Sequence, residues 1–169
     1  PAIIDIGTGS GAIILSLLHY LPQATGTGVD ISPKALAIAA ENGRTLGLDG
    51  RVTWIESDLF TKVPQGACDW LVSNPPYLTK GDMERLQPEV SHDPALALYG
   101  GDDGLEFYRR IAAESPAYVK AGGHCAIEIG AGQSDAVTAI FCRHGAYDHE
   151  QTVKDYGGID RVLVFSRKE

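Results

Sequence analysis

A glycine-rich turn near the amino terminus places the strongest constraint on the fold. The segment Gly7-Thr8-Gly9-Ser10-Gly11 follows a short apolar run, Ala2–Ile6, and precedes apolar residues that recur at helical spacing from Ile14. Such a run indicates a buried strand, and the recurrence indicates a helix. Glycines between the two allow positive φ angles and let the backbone approach a ligand closely. The chain is therefore predicted to begin with a strand, a ligand-binding turn and a helix.

The rest of the chain alternates short apolar runs with helical patterns. Further strands are predicted at residues 24–31, 52–55, 69–73, 125–129, 147–153 and 161–165, and helices at 33–47, 105–116 and 134–143. Ser32 is the predicted N-cap of the second helix, and Pro33 is its first residue. Pro116 is predicted to end or kink the helix that starts at 105. Gly122-Gly123 is predicted to separate that helix from the strand at 125–129. Between residues 75 and 104 the periodicity disappears, and a loop of that length is usually functional.

This order of elements predicts the fold class. Strands that alternate with helices imply right-handed crossovers between parallel strands. We predict an α/β fold with a doubly wound, mostly parallel seven-stranded sheet and a terminal antiparallel hairpin. Ligands of such sheets bind at the carboxyl ends of the strands, which is the edge where the glycine turn lies.

The size and charge of the chain narrow its partners. At 169 residues it is predicted to form one domain, 1–169, and its formal net charge of −8 repels nucleic acid and anionic membrane surfaces. No stretch approaches the roughly 20 apolar residues of a transmembrane helix. We therefore expect a protein or small-molecule partner, no direct nucleic-acid binding, no membrane association and a monomer.

The cysteines and histidines indicate neither a disulfide framework nor a metal site. The three cysteines are an odd number without a close pair, and the five histidines lack metal-ligand spacing. This composition predicts a reducing, cytoplasmic compartment. The chain starts at Pro1 without an initiator Met, which we interpret as a fragment of something longer.

Acidic residues near the strand ends predict the parts of a nucleoside-containing cofactor that bind there. Asp30 ends the second strand about 20 residues beyond the turn, where a carboxylate accepts hydrogen bonds from ribose hydroxyls. The adjacent Ile31 is assigned to the same cofactor site. Asp58 follows the third strand and is predicted to accept a hydrogen bond from an adenine amino group, with Leu59 as an apolar wall for the ring.

Asp5 helps to choose between cofactors. It lies inside the first strand, where a carboxylate is costly to bury unless it is paired. It suits the cationic amino-acid tail of S-adenosylmethionine better than a pyrophosphate, which it would repel. Because the turn with Ala12 also satisfies the relaxed fingerprint G-x-G-x-x-A, a nicotinamide or flavin enzyme remains an alternative.

The tetrapeptide Asn74-Pro75-Pro76-Tyr77 directly follows the fourth strand, at the same sheet edge as the turn. Two prolines hold φ near −65° and remove two backbone donors, so the Asn74 side chain and the Pro75 carbonyl are predicted to face outward as acceptors. Acceptors on a substrate NH2 group direct its lone pair towards a methyl donor. Tyr77 offers a flat face for a planar amide or base. Asn74, Pro75 and Tyr77 are the predicted catalytic residues, and Pro76 joins them in substrate binding. Asn74 is also assigned to the cofactor site.

With these motifs the sequence resembles the catalytic domain of the HemK/PrmC family, the protein-(glutamine-N5) methyltransferases that modify the Gly-Gly-Gln motif of peptide chain release factors. The resemblance covers nearly the whole chain and lies in residues 5–11, Asp30, 57–60, 73–77, 89–90, 93–98, 100–105, 128–130 with Gln133, 155–158 and 161–162. It implies a Rossmann-like, class I S-adenosylmethionine-dependent methyltransferase whose product is S-adenosylhomocysteine. Residues 89–105 resemble the substrate-side loop of the family, which assigns Glu89 to substrate binding.

The resemblance implies a release factor as the protein substrate. Family members usually carry an N-terminal helical domain, which has no counterpart in this chain. The tetrapeptide alone is shared with adenine-N6 DNA methyltransferases and some ribosomal RNA enzymes, so a methyltransferase acting on adenine or guanine in DNA or RNA, or on a ribosomal protein glutamine, is the alternative. A nicotinamide oxidoreductase and an inactive cofactor-binding module are the other readings.

Overall fold

A seven-stranded sheet forms the centre of the molecule. The computed structural model describes residues 1–84 and 98–169. The strands are β1 Ala2–Ile6, β2 Thr25–Asp30, β3 Val52–Glu56, β4 Cys68–Ser73, β5 Val119–Glu128, β6 Tyr147–Lys154 and β7 Asp160–Arg167. The helices are α1 Ala12–Tyr20, α2 Pro33–Thr45, α3 Lys80–Met83, α4 Glu106–Glu114 and α5 Ser134–Cys142, with 3-10 turns at Asp49–Arg51 and Ser115–Ala117.

The strand order confirms the predicted topology. Across the sheet the strands run β3-β2-β1-β4-β5-β7-β6. The five strands from β3 to β5 pair in parallel, whereas β7 is antiparallel to both β5 and β6. The chain crosses from β3 to β4 at β1, and this reversal of strand order is where ligands bind in doubly wound sheets.

The register brings the ends of three strands level. Ile6 of β1 lies opposite both Val29 of β2 and Ser73 of β4, and Ser73 lies opposite Ile127 of β5. The segments that follow β1, β4 and β5 therefore leave the sheet at one edge, which we call the carboxyl edge.

Two apolar clusters cover the two faces of the sheet. The larger contains Tyr108 of α4 and Phe141 of α5, packed against strand residues such as Leu71. The smaller contains Ile14 and Leu18 of α1. Within the described residues, no helix is long and apolar enough to span a membrane.

Two predicted helix ends are confirmed. The Ser32 hydroxyl accepts a hydrogen bond from the Ala35 amide at 3.2 Å and caps α2, whose first residue is Pro33. The helix α4 stops at Glu114, and Pro116 lies in the 3-10 turn that follows. A proline cannot donate to the preceding turn, which explains why α4 ends there.

The prediction for β5 was wrong at its start. The sequence predicted a strand at 125–129 after a break at Gly122-Gly123, but β5 runs from Val119 to Glu128 through these glycines. One β4 residue, Asp69, lies opposite residues 120–123, so β5 bulges rather than breaks. Gly122 has φ +71°, and a Cβ on Gly123 would lie 2.9 Å from the Asp69 carbonyl oxygen. Glycine therefore lets the strand absorb the extra residues.

The segment predicted to be irregular contains a short helix. The four-residue helix α3 starts with a capping box, in which the Thr79 hydroxyl accepts from the Asp82 amide and the Asp82 carboxylate accepts from the Thr79 amide. A helix of one turn is too short to show periodicity in the sequence. Leu78 also forms an isolated bridge with Tyr99, which closes the segment at its base.

The Trp54 ring of β3 packs over Gly28 of the neighbouring strand β2, and a substitution of Gly28 tests this packing. A Cβ at this position would meet Trp54 Cζ3 and lie 2.5 Å from Cε3. Gly28→Ala is expected to lower the free energy of unfolding by about 1–3 kcal/mol, because the ring must move from its packed position. Chemical denaturation measures this change. Gly50→Ala is the control, since a Cβ there meets nothing within 4 Å, and an equal loss in both variants would contradict the packing argument.

Candidate functional site

The glycine turn is fastened to the end of β2. The amides of Gly7 and Thr8 both donate to the Val29 carbonyl, at 2.8 and 2.9 Å, and the Gly9 amide donates to Asp30 Oδ2 at 2.8 Å. Gly7, Gly9 and Gly11 all have positive φ, as predicted. These bonds hold the turn in one conformation before any ligand arrives.

The outer side of the turn is open. A Cβ on Gly7 or Gly9 would meet nothing within 4 Å, whereas a Cβ on Gly11 would lie 3.1 Å from Leu15 and Trp54. The first two glycines thus leave room for a ligand, and the third allows α1 to pack on the sheet. Among the described residues, no side chain caps α1. The free amides and the dipole at a helix start favour a negatively charged group.

Asp5 is a buried carboxylate with incomplete hydrogen bonding. The Thr8 hydroxyl donates to Oδ2 at 2.7 Å, while Oδ1 has no partner among the described residues. Burial raises the pKa of Asp5 to about 6, and the charge of Asp30 adds to the rise. The Thr8 hydroxyl and, less strongly, the Ile14 amide offset part of it, although the amide makes no regular hydrogen bond with Oδ1. A cationic group at this turn would satisfy Asp5.

Asp30 stands between the turn and α2. Its Oδ1 accepts from the Ser32 amide and its Oδ2 from the Gly9 amide, each at 2.8 Å. A carboxylate oxygen can accept more than one hydrogen bond, so both oxygens retain capacity for hydroxyl donors. Next to it, the Ile31 side chain is 55% exposed and presents an apolar surface.

Asp58 and Leu59, which the sequence predicts to contact adenine, both contact other parts of the protein. Asp58 Oδ1 accepts from Arg110 Nη2 of α4 at 2.9 Å. Leu59 packs in the larger apolar cluster and has φ +46°, the one non-glycine positive φ in residues 1–84 and 98–169. Such a conformation is strained and tends to occur at functional sites. The predicted roles of both residues towards adenine stay predictions.

The tetrapeptide lies at the carboxyl edge, as predicted. The Ser73 hydroxyl donates to the Ile6 carbonyl at 2.7 Å and so joins the end of β4 to the end of β1. Asn74 is exposed, Pro75 is buried, and Pro76 and Tyr77 are half-buried. The Asn74 carboxamide makes no hydrogen bond with any other described residue. It is therefore available to a substrate.

Three glycines crowd around Tyr77. A Cβ on Gly100 would lie 2.7 Å from Tyr77 Cα, one on Gly104 would meet the Tyr77 carbonyl oxygen, and one on Gly130 would lie 2.9 Å from the ring carbon Cδ2. The Gln133 amide Nε2 donates to the carbonyls of Tyr77 and Gly104, each at 3.3 Å. These neighbours come from two distant parts of the chain, and together they pack around Tyr77, the last residue of the tetrapeptide.

Sequence reasoning assigned no role to Gln133, Gly104 or Arg110. Gln133 and Gly104 belong to the motifs that carry the family resemblance, which was their only signal. Glu89, predicted to bind substrate, lies outside the described residues, as does most of the loop at 89–105. Within the described ranges, no three His, Cys, Asp or Glu side chains converge on a metal position.

The comparisons with known proteins agree with this geometry. The family model of the methyltransferase small domain matches residues 1–90. A release factor glutamine methyltransferase of Moorella thermoacetica is 45% identical over 167 residues, which are 99% of this chain and 59% of that protein. The enzyme of the same name from Agrobacterium fabrum is 49% identical over 166 residues, or 98% and 57%.

A solved structure supports the same family. It is a release factor-specific protein-(glutamine-N5) methyltransferase of Alicyclobacillus acidocaldarius, 30% identical with a TM-score of 0.56 over 99% of this chain and 80% of that chain. The chain belongs to the release factor glutamine methyltransferase family. This methyltransferase domain also shares its fold with a methyltransferase of Pyrococcus furiosus, with a TM-score of 0.75 at 17% identity. The predicted class I methyltransferase fold is thereby confirmed, and the chain spans about three fifths of the length of the curated relatives.

Asp5 makes the stability of the methyltransferase domain depend on pH. Because the pKa of Asp5 is about 6 in the folded state and the ordinary value for an aspartate is 3.8, the folded state holds a proton on Asp5 between these pH values while the unfolded state has lost it. The contribution of this group to stability therefore falls as pH rises from about 4 to about 6 and stays low above that range. Asp5→Asn is expected to raise the free energy of unfolding at pH 8 by about 1–3 kcal/mol, and by much less at pH 4.5.

Urea denaturation at the two pH values measures the effect. The control is Asp49→Asn, an exposed aspartate in a 3-10 turn. If Asp5→Asn and Asp49→Asn changed stability equally at both pH values, Asp5 would not be the buried charge described.

Proposed function

We propose that this chain transfers a methyl group from S-adenosylmethionine to the side-chain amide nitrogen of the glutamine in the Gly-Gly-Gln motif of peptide chain release factors. The observation that carries the proposal is the exposed Asn74 carboxamide, which lies at the same sheet edge as the glycine turn and Asp5. Among residues 1–84 and 98–169, neither this carboxamide nor Asp5 Oδ1 has a hydrogen-bond partner. The names of the relatives and the family membership support the choice of substrate.

The residues present fit S-adenosylmethionine. The open side of the turn leaves space for its methionine part, whose ammonium group would satisfy Asp5 Oδ1. Its carboxylate would meet the uncapped start of α1. Asp30 would accept from the ribose hydroxyls beside Ile31. Asp58 and Leu59 would bind adenine, with Arg110 holding the Asp58 carboxylate in place.

When bound, S-adenosylmethionine supplies an electrophilic methyl group and leaves as S-adenosylhomocysteine. The Asn74 carboxamide oxygen and the Pro75 carbonyl accept hydrogen bonds from the two N–H groups of the substrate amide. The Tyr77 ring packs against the flat face of that amide. An amide nitrogen is a weak nucleophile because its lone pair is delocalised, so orientation and exclusion of water account for most of the rate. As the nitrogen gains the methyl group, one of its N–H bonds breaks and that proton passes to solvent water.

We also propose a monomer that works in a reducing, cytoplasmic compartment on a protein partner. The three free cysteines are consistent with that compartment. The net charge of −8 favours a protein over nucleic acid as the substrate.

The decisive experiment locates the transferred methyl. The chain is incubated with labelled S-adenosylmethionine and a release factor, and in parallel with RNA and DNA, and the products are analysed by mass spectrometry. We expect the label on the glutamine amide of the Gly-Gly-Gln motif. Label on a nucleic-acid base, or on neither substrate, would overturn the proposal.

Asn74→Ala tests the acceptor role. We expect kcat to fall by about 100- to 1,000-fold, because the residue acts on the group that becomes positive during transfer. The dissociation constant of S-adenosylhomocysteine, measured by calorimetry, should stay within about threefold, which is well under 1.4 kcal/mol. Gln23→Ala, which removes another exposed carboxamide, is the control. Unchanged turnover of Asn74→Ala would remove Asn74 from the mechanism.

Asp30→Asn tests the ribose site. The loss of charge-assisted hydrogen bonds is expected to weaken S-adenosylhomocysteine binding by about 10- to 100-fold. Asp49→Asn makes the same chemical change on the surface and should bind as the unchanged chain does. If the two variants had equal affinity, Asp30 would not contact the ribose.

A further inference from the structure

We propose that Gln133 is a positioning residue, whose side-chain amide ties the catalytic tetrapeptide to the end of β5 and so sets where Asn74 and Pro75 meet the substrate. The inference rests on the proposed function. Gln133 directly precedes α5 and lies 56 residues from Tyr77 in the sequence. No other side chain in the described part of the chain donates a hydrogen bond to the tetrapeptide backbone.

All of the hydrogen-bonding groups of the Gln133 carboxamide are occupied. Nε2 donates to the Tyr77 and Gly104 carbonyls, each at 3.3 Å. Oε1 accepts from the Gly130 amide at 2.9 Å and from the Tyr108 hydroxyl at 3.1 Å. One side chain thus joins four segments: the tetrapeptide, the turn before α4, α4 itself and the end of β5.

The orientation of this carboxamide has one solution. A backbone carbonyl only accepts and a backbone amide only donates. Nε2 must therefore face Tyr77 and Gly104, and Oε1 must face Gly130. A flipped carboxamide would lose these three bonds and place like groups against each other.

Two glycines let the backbone approach the Gln133 carboxamide closely. A Cβ on Gly130 would lie 2.8 Å from Gln133 Oε1, and one on Gly104 would lie 3.1 Å from Nε2. Glycine at both positions lets the backbone reach the carboxamide. A side chain at either glycine would push the carboxamide away from its bonds to the Tyr77 and Gly104 carbonyls.

Gln133 completes the support of the tetrapeptide at its second end. The first end is fixed at Ser73, which pairs with Ile6 and Ile127 in the sheet and donates its hydroxyl to the Ile6 carbonyl. The second end is Tyr77, where Gln133 supplies the bond to the rest of the core. Asn74 and Pro75 lie between the two fixed points, so loss of either support allows the acceptor pair to move.

Tyr108 supports Gln133 from the core side. It is fully buried, and its hydroxyl lies 3.3 Å from the Glu128 carbonyl as well as 3.1 Å from Gln133 Oε1. Burial raises the pKa of Tyr108 above its usual value, so the hydroxyl keeps its proton and remains a donor. A hydroxyl has one proton, so it is shared between these two acceptors.

The test uses Gln133→Glu and Gln133→Met. The first keeps the shape and removes the Nε2 donors, and the second removes all of the hydrogen bonds without adding charge. The matched control is Tyr147→Phe, which removes one buried hydrogen bond from the same apolar cluster, to Ser115 at 3.0 Å. Tyr147 pairs with Arg167 at the opposite edge of the sheet from the tetrapeptide.

Two readouts separate positioning from general stability. The first is the methylation of a release factor. Both Gln133 variants should lose at least about tenfold in kcat, because small displacements of reacting groups slow the reaction strongly. The KM for S-adenosylmethionine should change little. The second is hydrogen exchange at two amides beside Leu78, the residue that directly follows the tetrapeptide. The Leu78 amide donates to the Leu98 carbonyl, and the Gly100 amide donates to the Leu78 carbonyl. Exchange there should accelerate in both Gln133 variants and not in Tyr147→Phe at equal loss of melting temperature.

The outcomes are distinguishable. If the unchanged chain methylates no release factor, the proposed function fails, and hydrogen exchange still decides whether Gln133 holds the tetrapeptide. If the unchanged chain is active and the Gln133 variants match Tyr147→Phe in either readout, the inference is overturned.

Discussion

The parallel pairing of β1 with β4 is the constraint on which the site depends. Ile6 lies opposite Ser73, and the Ser73 hydroxyl donates to the Ile6 carbonyl. The glycine turn starts one residue after Ile6 and the tetrapeptide one residue after Ser73. A shift of one residue in this register would turn the side chains of one strand to the other face and separate the acceptor pair from the turn. The backbone pairing of the two strands therefore sets where the turn and the tetrapeptide lie, and the side chains of Asp30, Ser73 and Gln133 then hold them there.

The site retains features that an inert domain would not need. Asp5 is buried beside the turn with one oxygen unpaired, and Leu59 holds a positive φ. Each lowers stability in the absence of a ligand. Both occur at the carboxyl edge, where the proposed ligand binds, and the surrounding apolar clusters offset their cost. A cationic ligand would reverse the larger of the two effects by pairing with Asp5.

Much of the fold followed from local pattern. Most strand positions, the N-cap of α2 and the end of α4 were predicted because each depends on residues that are near one another in the chain. The bulge of β5 was not, because it depends on how residues 120–123 face Asp69 across the sheet. The single turn of α3 was missed because four residues do not establish a helical period.

The candidate site divides in the same way. The sequence by itself determined which functional groups the site contains, since these are properties of the residues. They are glycines that permit positive φ, aspartates at strand ends, and an asparagine followed by two prolines. Only the tertiary structure decided which groups are free and which are engaged. It paired Asp58 with Arg110, 52 residues away, and placed Gln133 on Tyr77, 56 residues away. Such contacts depend on the three-dimensional path of the chain, and no local pattern of residue types encodes them.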